Sequence, residues 1–171
     1  MPESPKPEEV AAWQRRLASQ ANNRAWSLTE RPDRTPEEDE EMLHAAHAAM
    51  YFWNIVGDRN NKAHAAQLVA HVYARLGLPG PASHYFAKSE PVFSADSAEP
   101  WEKALAHAVA ASVAAARQDS PAHLAHYRKA VERVAALPDP EERSILEATL
   151  RVLPVPGTHG AHGASGPAMP G

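Results

Sequence analysis

Residues 68–89 read LVAHVYARLGLPGPASHYFAKS, and the parsing of this stretch decides the fold. Leu68, Val69, Val72, Tyr73 and Leu76 recur at steps of three and four, the spacing of one face of an α-helix. Gly77 follows the last of them, where a helix commonly closes through a left-handed residue. The two prolines just beyond cannot continue that helix. A second helical period then starts at Ala82 and Phe86. The stretch is therefore a helix, a tight turn and another helix. Sliding residues 66–93 forward by 41 lays Ala70 on Ala111, Ala74 on Ala115, Phe86 on Tyr127, Lys88 on Lys129 and Phe93 on Val134. The hairpin is expected to recur.

Helix starts are marked on either side. Thr35, Pro36 and Glu38 stand in the order of a capping box with proline at the first helical position. The acidic run Glu37 to Glu41 lies at the positive end of that helix's dipole. Ser120 with Pro121, and Asp139 with Pro140 and Glu142, repeat the device. Gly57, like Gly77, reads as a closing residue. No stretch alternates with period two, so strands are not expected. Helices are predicted over 8–29, 36–56, 61–76, 81–91, 99–117, 121–136 and 140–153, the fourth cut short by Pro91. The fold class is all-α: about seven helices in antiparallel pairs, forming one domain over 1–153. Residues 154–171 are rich in proline and glycine with little to bury, and read as a disordered tail.

The two hairpins resemble units of the tetratricopeptide-repeat superfamily in degenerate form. LVAHVYARLGLPGPASHYFAKS has small residues along its first helix, Leu76 and Gly77 at the turn, Ala82 early in the second helix and Phe86 one turn later. VAASVAAARQDSPAHLAHYRKA is similar, but Gln118 and His123 stand where the pattern favours Gly and Ala. The period also exceeds the usual ~34 residues. The resemblance covers about 60–135. It implies an α-solenoid, a right-handed stack of helix pairs, that binds a protein or peptide along a groove lined by the first helix of each pair. No catalytic residue comes with such a fold. The last segment, with Ile145, Leu146, Thr149, Val152 and Leu153 on one face, looks like a terminal cap.

Bulk properties narrow the function classes. A net charge of −4 and a pI near 6.2 argue against nucleic acid, which calls for a basic face. The one basic cluster, Arg15, Arg16 and Arg24, lacks interleaved aromatics. There are no cysteines, which removes thiolate ligands and nucleophiles. MPESPKPEE has no apolar core, so no secretory leader is expected. No apolar run approaches the ~18 residues of a membrane span. A cytoplasmic protein without membrane association is the expectation. Alanine, 35 residues in all, favours helix and close helix approach.

Two polar strips are the candidate site. On the second helix, Met42, Ala46, Ala49, Trp53 and Val56 form the core stripe, flanked by Ala45, Phe52, Ile55, Leu43 and Met50. Opposite it lie Glu40, His44, His47, Tyr51 and Asn54. On the third helix, His64, Gln67, His71 and Arg75 lie opposite Ala65, Leu68, Val69, Val72 and Tyr73. Neutral hydrogen-bonding groups replace the usual Lys and Glu mixture, as suits a groove for polar ligands or peptide backbone. Three readings stay open: a plain solvated surface, a binding groove and a metal site. The metal reading is short of ligands. Glu41 lies off the strip of His44 and His47, and a zinc site takes three or four ligands. The His-x-x-His spacing also recurs at His123 and His126, and at His159 and His162. By periodicity His126 points outward beside Lys129 and Arg133, and His123 is a semi-buried packing residue beside Tyr127. Trp13, with Val10, Leu17, Ala21 and Leu28, and Trp53 are expected in the core. Trp101 is expected as a packing anchor, and Trp26, off its helix's main stripe, as docking on the next helix. The expected role is a non-enzymatic protein- or peptide-binding module, without cofactor, metal or catalytic residue. Its contacts are His44, His47, Tyr51, Asn54, His64, Gln67, His71 and Arg75. The alternative is a small-ligand or metal-binding helical protein that uses these strips.

Overall fold

The computed structural model of the chain describes residues 5–157. Its helices are α1 Pro7–Thr29, α2 Pro36–Val56, α3 Arg59–Arg75, α4 Pro79–Phe93, α5 Pro100–Ala116, α6 Ser120–Ala135 and α7 Pro140–Arg151. Every helix but α3 carries proline in its first two positions, where a helix leaves N–H groups unpaired in any case. The capping box of α2 is present. Thr35 Oγ1 accepts the Glu38 N–H at 3.3 Å, and the Glu38 carboxylate accepts the Thr35 N–H at 3.0 Å. An unforeseen box opens α3. Asp58 Oδ1 accepts the Asn61 N–H at 2.8 Å and Asn61 Oδ1 accepts the Asp58 N–H at 3.2 Å, which moves the start to Arg59. Asp119, not Ser120, caps α6 by accepting the Ala122 N–H at 3.1 Å. Periodicity ends α4 at Pro91, but the helix runs to Phe93. That residue is only 2% exposed and anchors the extra turn from inside.

The 41-residue recurrence is a property of the backbone. Shifting α3 forward by 41 turns Arg59–Arg75 into Pro100–Ala116, and the start of α4 at Pro79 into the start of α6 at Ser120. The turns match as well. Gly77 has φ +70°; its N–H bonds Ala74 O at 3.0 Å and the Leu78 N–H bonds Tyr73 O at 2.9 Å. Gln118 has φ +59°; its N–H bonds Ala115 O at 3.0 Å and the Asp119 N–H bonds Ala114 O at 2.9 Å. Both turns are Schellman closures, one with the expected glycine and one without it. Gly57 is needed for a different reason: a Cβ there would stand 2.5 Å from Trp53 O.

Helices α1 and α2, α3 and α4, and α5 and α6 pack as pairs, and α7 closes the row against α5 and α6. Consecutive pairs also meet through their first members, α1 on α3, α3 on α5 and α5 on α7. The odd-numbered helices thus form one continuous row. Leu28, Met42, Ala46, Leu68 and Val72 fill the interior on the α1–α2–α3 side. Leu105, Val109, Val113, Val134 and Leu146 fill it on the α5–α6–α7 side. Trp26, Tyr73 and Tyr85 pack against both clusters and join them. Helix α3 lies at the centre, with every residue from Ala65 to Val72 buried.

Three packing expectations are corrected. Trp13 is 61% exposed, and Val10 and Leu17 are exposed with it. Helix α1 buries Leu28 of the expected stripe, together with Ala18 and Ala25, on the side where α2 and α3 pack. Ile55 is exposed, and Trp53 is half-buried at the edge of a cavity. Ile145 of α7 is also exposed, while Leu146, Thr149 and Leu153 of its expected face are buried. The chain beyond α7 is tied back by two side chains. Arg75 donates to Val152 O at 2.6 Å, and His123, buried beside Tyr127 as foreseen, donates to Pro154 O at 2.9 Å. Order therefore continues past 153; the rest of the expected tail, with His159 and His162, lies outside the described residues.

Candidate functional site

A cavity of about 540 Å³ opens on the row of odd-numbered helices. Helix α1 presents Ser19, Asn22, Asn23 and Trp26 to it, residues three and four apart and so on one face, with Glu30 just past its end. Trp53 comes from α2, Asn61 and His64 from α3, Trp101 and Leu105 from α5. Glu142, Ile145, Leu146 and Thr149 of α7 form the remaining wall.

His64 is the most constrained polar group in that wall. Its Nε2 donates to Glu102 Oε1 at 2.9 Å. Glu102 is only 4% exposed. Its Oε2 accepts the Glu99 N–H at 2.9 Å, and Asn60 Nδ2 approaches Oε1 at 3.4 Å. A carboxylate can only accept, so Nε2 carries the hydrogen. The ring lies flat on Trp101, with centroids 5.2 Å apart and planes 5° apart, and its other side meets Phe93 at 4.5 Å. Trp26 stacks in the same manner on His71, at 5.5 Å and 28°. Burial pushes the Glu30 carboxyl above its ordinary range, opposed by the charge of Arg151.

The structure divides the two predicted strips. His44, Tyr51 and Asn54 are exposed on α2, away from the cavity. His47 is half-buried. It bonds the Tyr73 hydroxyl at 2.9 Å and sets its ring edge against Tyr73 and Tyr85, so it belongs to the packing between pairs. Burial, then His44, lowers its pKa. Of the predicted strip on α3, His64 lines the cavity, while Gln67, His71 and Arg75 do not. Gln67 and His71 are fully buried, and their side-chain nitrogens and oxygen have no hydrogen-bond partner among the described residues. This corrects the expectation of an open strip: a helix with α1, α2, α4 and α5 all packed against it keeps no solvated side. His71 is pushed down to about 3, first by burial and then by the positive Arg75 and Arg34. Arg75 is half-buried and turned toward Val152. Glu41 is held by both arms of Arg24, at 2.6 and 2.7 Å, and takes no part with the histidines. His126 does not point outward. Its Nδ1 lies 3.1 Å from His107 Nδ1, with both rings half-buried between α5 and α6. Among the described residues no three His, Asp or Glu side chains are grouped to hold a metal ion, and no helix is long and apolar enough to cross a membrane.

Comparison with family models, curated proteins and solved structures returned no match to this chain.

The cavity therefore has to be understood from its own residues. It combines three indole walls, a carboxylate-bound imidazole, amide groups from Asn22, Asn23 and Asn61, and the carboxylates of Glu30 and Glu142. Periodicity within single helices missed most of these. The lining is spread over five helices, from one side chain of α2 to four each of α1 and α7, and only the relative rotation of the helices brings them together. One local signal was available: Glu102 stands three residues after Glu99, the position from which a glutamate reaches back to a helix's first N–H.

Proposed function

We propose that the chain is a non-enzymatic binding module of tetratricopeptide-like kind. In this reading the groove along α1, α3, α5 and α7 receives a peptide segment of a partner protein. The observation that carries the reading is the cavity. It is drawn from the first helix of every pair, is walled by Trp26, Trp53 and Trp101, and encloses about 540 Å³. Recognition sites typically enclose ~300–1,000 Å³, mostly apolar with a few placed polar groups. Tryptophan is enriched among residues that dominate binding energy. Stacked pairs with a 41-residue recurrence support the tetratricopeptide-like part. His64 is bonded to the Glu102 carboxylate, which fixes its ring in the wall as a recognition group would need.

The test is selection of displayed peptides on the intact chain, with affinities read from tryptophan fluorescence. Ser19 lines the cavity at an exposed helical position, so Ser19→Trp fills the groove with little cost to the fold. Selected peptides are expected to lose about tenfold or more on Ser19→Trp, equivalent to one well-buried contact. They should be indifferent to Tyr51→Ser on the exposed strip of α2. Binders that ignore Ser19→Trp, binders that follow Tyr51→Ser, or the absence of any saturable binder each overturn the reading.

A further inference from the structure

We infer that the group received by this cavity is a cation with an apolar stem, the side chain of an arginine or lysine on the partner segment. The inference rests on the groove reading above and adds the charge of the occupant. Three observations point the same way. The wall holds Trp26, Trp53 and Trp101, whose ring faces attract cations. It also holds the carboxylates of Glu30 and Glu142, one at the end of α1 and one in α7. Among the described lining residues there is no lysine or arginine, and the imidazole there, His64, is bound to the carboxylate of Glu102.

The basic groups nearby are turned elsewhere. Arg143 donates to Leu137 O at 2.5 Å, and Arg75 to Val152 O. Arg151 acts on Glu30 from outside the lining and offsets only part of the effect of burial there. An anionic occupant would meet two carboxylates and no base. A neutral apolar occupant would desolvate the half-buried Glu30 and Glu142 further and give neither a counter-charge, and partly desolvated charges are costly in that state. A cation with a methylene stem meets both requirements. The stem covers indole surface while the charged head reaches the carboxylates at the rim.

The probes are the peptide Ac-Ala-Leu-Arg-Leu-Ala-amide and its counterpart with citrulline, which has the shape of arginine and no charge. Binding is followed on the four indole N–H resonances of the ¹⁵N-labelled full chain. Trp13, outside the cavity and under Arg16, is the internal control. The arginine peptide is expected to shift the Trp26, Trp53 and Trp101 signals saturably and leave Trp13 in place. The citrulline peptide should bind about tenfold more weakly. Glu30→Gln/Glu142→Gln should lower the arginine peptide's affinity about tenfold and close most of the gap between the two peptides. Equal affinity of the two peptides for the same three indoles overturns the charge assignment and leaves the groove reading intact. Failure of the arginine peptide to move those indoles, or insensitivity to the double substitution, also overturns the charge assignment. The groove reading is then judged by the peptide selection alone.

Discussion

At the scale of single residues, His71 is the least conventional choice in the molecule. Its ring is wholly buried under Trp26 without a hydrogen-bond partner among the described residues, and is held neutral, its pKa pushed down from 6.5 to about 3. In the unfolded chain the same imidazole protonates near its ordinary value. A depressed folded value means that the unfolded state binds the extra proton. Stability is therefore full above about pH 6.5 and is lost progressively as the pH falls toward 3. At pH 5 the loss from this one group is about 2 kcal/mol. His107, pushed down to about 4 by burial and then by His126, Arg133 and Lys129, adds a loss of the same sign. Its partial exposure makes that loss smaller. Urea unfolding at pH 7 and pH 5 separates the two. Wild type should lose about 2 kcal/mol more between these pH values than His71→Leu, in which the His107 contribution persists. Equal losses would show that His71 is not held neutral. Why α3 carries such a residue inside was not legible in its sequence. His64, Gln67, His71 and Arg75 keep the spacing of one helical face, but an amphipathic pattern implies an outer side only when one side of the helix is left unpacked. The centre of a stack has none.

At the scale of elements, much more could be read. Helix number, starts and the 41-residue offset are written in caps, prolines and turn residues, which act over a few positions and need no knowledge of neighbours. Boundaries failed by a residue or two where caps were less conspicuous, as at Asp58 and Asp119. The phase of α1 failed over its first half: Val10, Trp13 and Leu17 keep helical spacing, but no described helix covers them, whereas Leu28 of the same stripe is buried. The repeat itself leads to a prediction. Gln118 occupies the left-handed position that Gly77 fills in the preceding hairpin, and a side chain there costs about 1 kcal/mol that glycine does not incur. The residue is exposed, so removing the side chain sacrifices little packing. Gln118→Gly should stabilise the chain by about 1 kcal/mol and raise its melting temperature by roughly 2–4 °C. Gly77→Gln should lower it by a similar amount. Substitutions that move the melt in the same direction would show that the two turns are not equivalent.

At the scale of the whole molecule, the cavity exists only because α7 is held against the row begun by α1. Helix α7 supplies Glu142, Ile145, Leu146 and Thr149 to the wall, yet its helix–helix packing is chiefly on α5 and α6. Besides its buried Leu146 and Thr149, it is secured from a distance by Arg75, which crosses from the end of α3 to Val152 O. Burial and the nearby Arg34 lower the pKa of this guanidinium, and Asp39 raises it, so the contact does not come from α3 without cost. Arg75→Met keeps most of the stem and removes the donor and the charge. Global stability should then change little, because relief from burying the charge opposes loss of the bond. Local stability should change. A hydrogen bond is worth about 0.5–1.5 kcal/mol net, so amide exchange in α7 is expected to quicken by about threefold to tenfold, while α1 and α2 keep their protection. Affinity for groove-binding peptides should fall with it, since the α7 wall is then in place for a smaller fraction of the time. Hydrogen exchange resolved by helix, measured on both proteins, decides the matter. Unaltered exchange in α7, or an equal rise in every helix, would mean that the arginine does not secure this wall and that the cavity's shape is set by the packing of Leu146 and Thr149 alone.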